Sequence, residues 1–313
     1  MAPTHARVLI VGSGAAGWSA AIYAARAALN PLVLKGLSPG GQLTITTDVE
    51  NYPGFADTIQ GPWLMEQMEA QALKVGTRAL PDIATAADLS ARPFRIIGQD
   101  KARYTADALI IATGAEAKWL GLPSEEAWRG HGVSACATCD GFFFRNKPVL
   151  VVGGGNTAVE EALFLTRFAS RVTLVHRRDQ LRADKILQAR LFANDKVTVL
   201  WDSVLEEVLG EENPRAVTGA RLKNLKSGAT SELAADGVFI AIGHEPASEI
   251  FQDSLKHRNG YLTTAPDSTA TSCPGVFAAG DVADAVYRQA VTAAGRGCMA
   301  ALDAERFLAA EEG

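Results

Sequence analysis

Short apolar runs rich in β-branched residues alternate along the chain with glycine-bearing turns and alanine-rich segments. Residues 8–11 form such a run, and its length and sharp bounds predict a strand buried on both faces. Gly12-Ser13-Gly14-Ala15-Ala16-Gly17 comes directly after it. An alanine-rich stretch then predicts a helix over 18–29, ending before Asn30-Pro31, and a second strand over 32–34. Residues 147–175 repeat this grammar. A strand is predicted over 148–152, a loop Gly153-Gly154-Gly155-Asn156-Thr157-Ala158 comes next, and a helix over 159–168 leads to a strand over 171–175. Two strand–glycine loop–helix–strand units predict an α/β protein with two Rossmann-like, three-layer (ββα) dinucleotide-binding domains.

Between and beyond these units the pattern is less regular. A helix is predicted over 62–75 and a strand over 108–112, ending at Thr113-Gly114. Residues 115–130 carry Pro123, glycines and charges with little periodicity, which places a linker near 116–120. Further strands are predicted over 196–199, 205–209, 220–224 and 237–242, the last ending at Gly243. A strand over 275–279 meets Gly280-Asp281, and a long alanine-rich helix is predicted over 288–308. That tail is too small for a domain of its own, and residues 1–115 lack the later strands of a complete sheet. The economical arrangement returns the tail to the first domain. The expected domains are 1–116 with 247–313, and 117–246 between them.

The bulk composition narrows the class. A length of 313 residues suits two domains, and 48% apolar with 21% charged residues is ordinary for a soluble enzyme. A formal net charge of −5 with no basic block argues against a nucleic-acid partner. Arg7 and the apolar run up to Ala25 have the outline of a signal peptide, but the run's three glycines stand at dinucleotide-loop spacing. No other stretch has the ~20 apolar residues of a membrane span. Four cysteines are too few for a secreted disulfide scaffold, so a cytoplasmic location is expected.

The two loops differ in the residues downstream of them. In each, glycines permit a tight turn and close backbone approach to a pyrophosphate, which then lies at a helix N-terminus. After the first unit the acid that usually holds a ribose is missing, and Lys35-Gly36 stands there. After the second come His176-Arg177-Arg178, with Arg182 close behind. A basic cluster at the end of the second strand suits a ribose 2′-phosphate, hence NADPH. Gly153, Gly155, Asn156 and Thr157 complete that expected site.

Cys136-Ala137-Thr138-Cys139-Asp140 lies between the loops. A structural zinc site would need two further ligands at similar spacing, and Cys273 and Cys298 are isolated. A pair of inert buried thiols is the bland alternative. Cys-x-x-Cys spacing favours a redox-active pair, because it lowers one thiol pKa and lets the two sulfurs close a ring. Asp140 adjoins it as a candidate acid/base. A dithiol beside an NADPH site needs an intermediary that takes a hydride and passes on electrons, which a flavin does. FAD is therefore expected in the first domain, with Asp281 on one of its hydroxyls and the 288–308 helix directed at it.

Laid out together, these residues closely resemble the bacterial-type, low-molecular-weight thioredoxin reductases over essentially the whole length. The resemblance is carried by Gly40-Gly41-Gln42-Leu43, Asp48-Val49-Glu50-Asn51-Tyr52-Pro53-Gly54, residues 136–143, residues 153–163, His176-Arg177-Arg178, and Gly280-Asp281 with Arg288-Gln289-Ala290. It implies FAD contacts at Ser13, Gly14, Ala15, Ala16, Gln42 and Asn51, and again at Asp281, Arg288, Gln289 and Ala290. Lys35, Gly36, Gly41, Thr113 and Gly280 are expected to line the same site. It further implies that Cys139 faces the flavin, Cys136 attacks thioredoxin and Asp140 shuttles the proton. The family is homodimeric, and its nicotinamide domain rotates against the flavin domain, here about linkers near 117 and 246. His131 stands where the family often has arginine. Of Phe142 and Phe143, one is expected in the core and one at a docking edge. The alternative activity is reduction of another small protein disulfide or a low-molecular-weight disulfide. A dithiol oxidase would lack the basic cluster, and a ferredoxin-type reductase would lack the Cys-x-x-Cys.

Overall fold

The computed structural model describes residues 3–36, 38–44 and 48–312. Its contacts divide the chain into two compact units, Met1–Glu116 with Glu245–Gly313, and Ala117–His244.

In the first unit, strand Thr4–Val11 lies at the centre of a seven-stranded sheet, parallel to Leu32–Leu34 on one side and Arg103–Ile111 on the other. Side chains alternate across the strand, so each face meets its own core. Val8 and Ile10 pack with helices Ala15–Arg26, Gly61–Lys74 and Ala290–Glu312. Leu9 and Val11 face a second layer that holds Phe94, Ile96, Phe251 and Leu255. The C-terminal tail completes the sheet: Val276–Ala278 pairs in parallel with residues 109–111 of Arg103–Ile111.

The second unit repeats the plan. Its parallel sheet runs in the order Val133–Ser134, Gly237–Ile240, Pro148–Val152, Arg171–Val175, Val197–Leu200. Val149 and Val151 meet the helical layer through Ala158, Val159, Ala162 and Leu165. Leu150 and Val152 meet an antiparallel meander of Ser203–Glu212, Arg215–Asn224 and Thr230–Ala234. The second unit thus has three layers, helix, sheet and sheet, whereas in the first the antiparallel strands Phe94–Gly98 and Ala84–Asp88 continue the seven-stranded sheet.

The helices begin elsewhere than periodicity placed them. The first runs Ala15–Arg26 rather than 18–29, and the second Asn156–Leu165 rather than 159–168. In both, the last three residues of the glycine loop are the first turn of the helix. The first helix also stops early, because Ala28 and Asn30 have φ of 57° and 47°, a conformation no right-handed helix continues through. The C-terminal helix starts at Ala290, not 288, since Arg288 has φ 48°. Strands Ala84–Asp88 and Phe94–Gly98, which pair antiparallel, have no counterpart in the pattern of apolar runs.

Candidate functional site

The first glycine loop is built by close approach. A Cβ on Gly12 would lie 2.2 Å from the Ala112 carbonyl oxygen, and one on Gly17 would lie 2.0 Å from the Gly12 carbonyl oxygen. Gly14 has nothing nearer than 3.9 Å, so its backbone stays open. Ser13 is buried and braces the loop: its hydroxyl donates to the Lys35 carbonyl (2.6 Å) and accepts from the Gly40 N–H (3.1 Å). A Cβ on Gly41 would lie 3.5 Å from the Gly14 Cα, which sets the 40–41 turn against the open stretch. Lys35 is tied to Glu69 by a 2.8 Å ion pair. Gly36 has φ 80° with open space around it. Thr113 donates to the Ala247 carbonyl at 2.5 Å.

The tail supplies the other wall. Gly280 has φ 77°, and a Cβ there would meet the Ala16 Cβ at 2.8 Å. Next to it Asp281 has a buried Oδ1 with no hydrogen-bond partner among the described residues. Burial, reinforced by the Asp284 carboxylate, raises the Asp281 pKa to about 6. Asp284 caps the next turn, accepting from the N–H groups of Val286 and Tyr287 (2.9 Å each) and Arg288 (3.3 Å). That turn presents Gln289, whose Oε1 accepts from Asn51 Nδ2 at 3.4 Å. Two residues 238 positions apart are thereby brought together. A buried carboxylate oxygen lacking a donor costs free energy that a bound hydroxyl would relieve. An open backbone at Gly14 leads into the first turn of a helix at Ala15 and Ala16, which is an anion-binding arrangement. These residues fit FAD.

In the second unit the dithiol is a disulfide. Cys136 and Cys139 are bonded, with Cα atoms 5.3 Å apart, across the short helix Ala137–Asp140. The Cys139 N–H donates to Cys136 Sγ at 3.2 Å, and the Cys136 N–H donates to the Ser134 hydroxyl at 3.0 Å. Cys136 is half-buried, Cys139 is exposed and Asp140 is half-buried. Cys273 and Cys298 are free thiols. Among the described residues no group of histidine, cysteine and carboxylate side chains is placed to hold a metal ion. The expectation for the phenylalanines is corrected: Phe142 and Phe143 are both exposed, at 50% and 38%, and Phe144 is the core member, edge-on to Phe239 at 5.2 Å.

The second glycine loop is equally tight. A Cβ on Gly153 would lie 2.4 Å from the Ala241 carbonyl oxygen, while Gly155 faces open space. Asn156 is engaged rather than free: its amide donates to Asp184 Oδ2 (2.8 Å) and accepts from the Asp184 N–H (2.9 Å). Thr157 is half-buried in the first helical turn. His176 lies beneath the loop, not in the open. It is buried, its Nε2 bonds the Gln180 carbonyl at 2.9 Å, and its ring fills the space a Gly154 Cβ would occupy. Burial, then the nearby Arg182 and Arg178, holds its pKa below the usual histidine value. Arg177, Arg178 and Arg182 are exposed, and among the described residues none has a carboxylate partner. Three guanidinium groups without a carboxylate partner among the described residues could hold an anion.

Sequence reasoning missed the braces: Glu69, Asp184, Asp284 and the close packing of Gly297 on Ala16. Asp284 carried a readable signal, an aspartate just before a turn whose N–H groups need an acceptor. Gly297 did too, within the small-residue row Ala293, Gly297, Ala301.

Known proteins resemble the chain along nearly its whole length. The pyridine nucleotide-disulphide oxidoreductase family matches residues 6–297. A thioredoxin reductase of Rickettsia bellii is 60% identical over 96% of this chain and 98% of its own. A protein of Pseudomonas fluorescens named glucosaminate ammonia-lyase is 57% identical over 97% of this chain and 96% of its own. The solved thioredoxin reductase from Giardia duodenalis superposes with a TM-score of 0.94 at 42% identity, covering 98% of this chain and 99% of that one. The chain belongs to the pyridine nucleotide-disulphide oxidoreductase family.

Proposed function

We propose that the chain is a thioredoxin-disulfide reductase that uses NADPH and FAD. The observation that carries this is the Cys136–Cys139 disulfide, set in the same unit as a nucleotide loop flanked by three unpaired arginines. A lyase acting on an amino sugar acid would have no use for either.

The unit of residues 1–116 and 245–313 would hold FAD. Gly14, Ala15 and Ala16 would hold its pyrophosphate, and the orphaned Asp281 oxygen would accept from one of its hydroxyls. Gln42, Asn51, Arg288, Gln289 and Ala290 form the rest of the wall, with Gly36, Gly41, Thr113 and Gly280 shaping the backbone. Ser13 and Lys35 brace the loop from behind, through their bonds to Gly40 and Glu69. When bound, flavin supplies the chemistry the side chains lack, accepting a hydride from NADPH and passing an electron pair to a disulfide. Arg177, Arg178 and Arg182 bind the 2′-phosphate of NADPH at the loop of Gly153, Gly155 and Thr157, while His176 and Asn156 fix that loop's shape.

Once the pair is reduced, the Cys136 thiolate attacks one sulfur of the thioredoxin disulfide and expels the other as a thiolate. Cys139 then attacks Cys136 of the mixed disulfide, restoring the Cys136–Cys139 bond and releasing the second thioredoxin thiolate. Asp140, next to Cys139, moves the proton that a sulfur gives up or takes. Disulfide and NADPH site share one unit and serve one flavin, so they must take turns, by rotation about the crossings at 116/117 and 244/245. The homodimer belongs to this reading, and exposed Tyr23, Leu73, Val291 and Met299 on the first unit's helices support it. So does a cytoplasmic setting, which keeps Cys273 and Cys298 reduced. No helix among the described residues is long and apolar enough to cross a membrane.

Anaerobic reductive titration tests the proposal. The flavin-loaded protein should take up about two electron pairs per chain, one for flavin and one for the disulfide, and Cys136→Ser should take up about one. Uptake of a single pair by the unsubstituted protein would remove the disulfide from the relay.

A further inference from the structure

On the segment that carries the disulfide begins a row of aromatic rings, anchored to the core by Phe164 and open to solvent at Phe142. Phe142 sits three residues after Cys139 and is half exposed. Its ring meets Phe168 edge-on at 6.1 Å, and Phe168 meets Phe164 at 5.6 Å. The row is fixed to the dithiol segment by Gly141, where a Cβ would come 3.1 Å from Leu165, 3.4 Å from Phe164 and 3.6 Å from Phe168. Two guanidinium groups lie over the row: Arg145 above Phe142 at 4.9 Å and Arg167 above Phe164 at 5.2 Å. Both arginines are exposed, and among the described residues neither has a carboxylate partner.

A guanidinium stacked on a ring keeps its edge donors free and has its orientation fixed in advance. Two such groups at the margin of the exposed Phe142 and the part-buried Phe164 and Phe168 make an apolar patch with a cationic rim. The row starts three residues after Cys139, and Gly141 seats the dithiol segment against it, so a partner that presents a disulfide to Cys136 docks beside it.

We propose that Arg145 and Arg167 form a specificity rim that selects a protein disulfide set in an apolar surface and flanked by carboxylates. This rests on the disulfide-reductase reading above and names the surface chemistry of its partner. The rim acts on encounter and docking. It therefore lowers KM and gives the reaction a salt dependence, while kcat is set elsewhere.

The test compares the holoenzyme with Arg145→Gln/Arg167→Gln and Arg145→Lys/Arg167→Lys, using oxidised thioredoxin as substrate over a range of ionic strength. NADPH-dependent ferricyanide reduction serves as a readout that needs no docking. At low salt the Gln pair should raise KM for thioredoxin about tenfold and flatten the salt dependence, with kcat and ferricyanide reduction unchanged. The Lys pair should recover most of the salt dependence, because charge returns without the planar stack. A Gln pair with the parent KM and salt slope would overturn the rim and leave the reductase reading standing. A parent enzyme that reduces ferricyanide but not thioredoxin would overturn the reductase reading, and the rim with it.

Discussion

Gly297 lies directly on the backbone of Ala16: a Cβ at Gly297 would come 2.1 Å from the Ala16 carbonyl oxygen. The contact joins the C-terminal helix to the first turn after the nucleotide loop, across 281 residues of sequence (297 minus 16). It places the tail of the chain inside the first unit's helical layer.

Gly297→Ala should therefore act as an overpacking change against backbone, which cannot move aside. Such changes cost on the order of 1–3 kcal/mol or more. Thermal unfolding should show a lower Tm, and the purified protein should carry less flavin. An unchanged Tm with full flavin content would mean that the helix does not seat against the loop.

Cys136→Ser and Cys139→Ser should each keep NADPH-driven reduction of flavin, seen as loss of its yellow absorbance. Each should lose thioredoxin turnover, by a factor of about a thousand or more, since a covalent relay has no partial form. Stopped-flow absorbance and steady-state turnover check the two halves separately. Persistent turnover in either variant would contradict the relay.

Arg177→Ala/Arg178→Ala removes two charge-assisted contacts to a phosphate that NADH lacks. With each contact worth about 1.5–3 kcal/mol, KM for NADPH should rise by roughly a hundredfold or more. KM for NADH should move by less than about twofold, because no contact to it is lost. Equal effects on both nucleotides would return these arginines to a solvated surface role.

Asp281 links flavin binding to pH. Its folded-state pKa, about 6, stands above the ordinary carboxylate value of 3.8. A raised folded pKa stabilises the flavin-free fold fully below the unfolded value, and that stability is lost as pH rises through about 6. At pH 7 the flavin-free Asp281→Asn protein should thus melt above the flavin-free parent, and the gap should shrink by pH 5. The same variant should bind FAD more weakly at pH 7, which equilibrium titration of the flavin-free protein measures. A Tm gap that ignores pH would show that the carboxyl is not strained by its burial.

Much of this was legible in the chain. The alternation of apolar runs and glycine loops marked both sheets, and the glycine spacing located both nucleotide loops, because Gly12, Gly17 and Gly153 lie against backbone with no room for a Cβ. What escaped has a common physical cause. Side-chain braces act between elements, so Ser13 with Gly40, Asn156 with Asp184, and Asn51 with Gln289 leave no local signature. His176 read as a phosphate ligand because its neighbours are basic, whereas its ring is the packing for Gly154. Arg288 read as helical because the alanine-rich run carries on past it, whereas Asp284 holds its backbone in a turn. Phe142 and Phe143 could not be sorted by composition, since Phe144 supplies the core contact in their place.

The central claim is that one chain carries electrons from NADPH through a flavin and the Cys136–Cys139 pair to thioredoxin. Oxidation of NADPH by the flavin-loaded protein, monitored with and without oxidised thioredoxin, tests it most directly. Consumption should be slow alone and rapid and thioredoxin-saturable with it, with one NADPH used per thioredoxin disulfide reduced. The same rate with and without thioredoxin would contradict it.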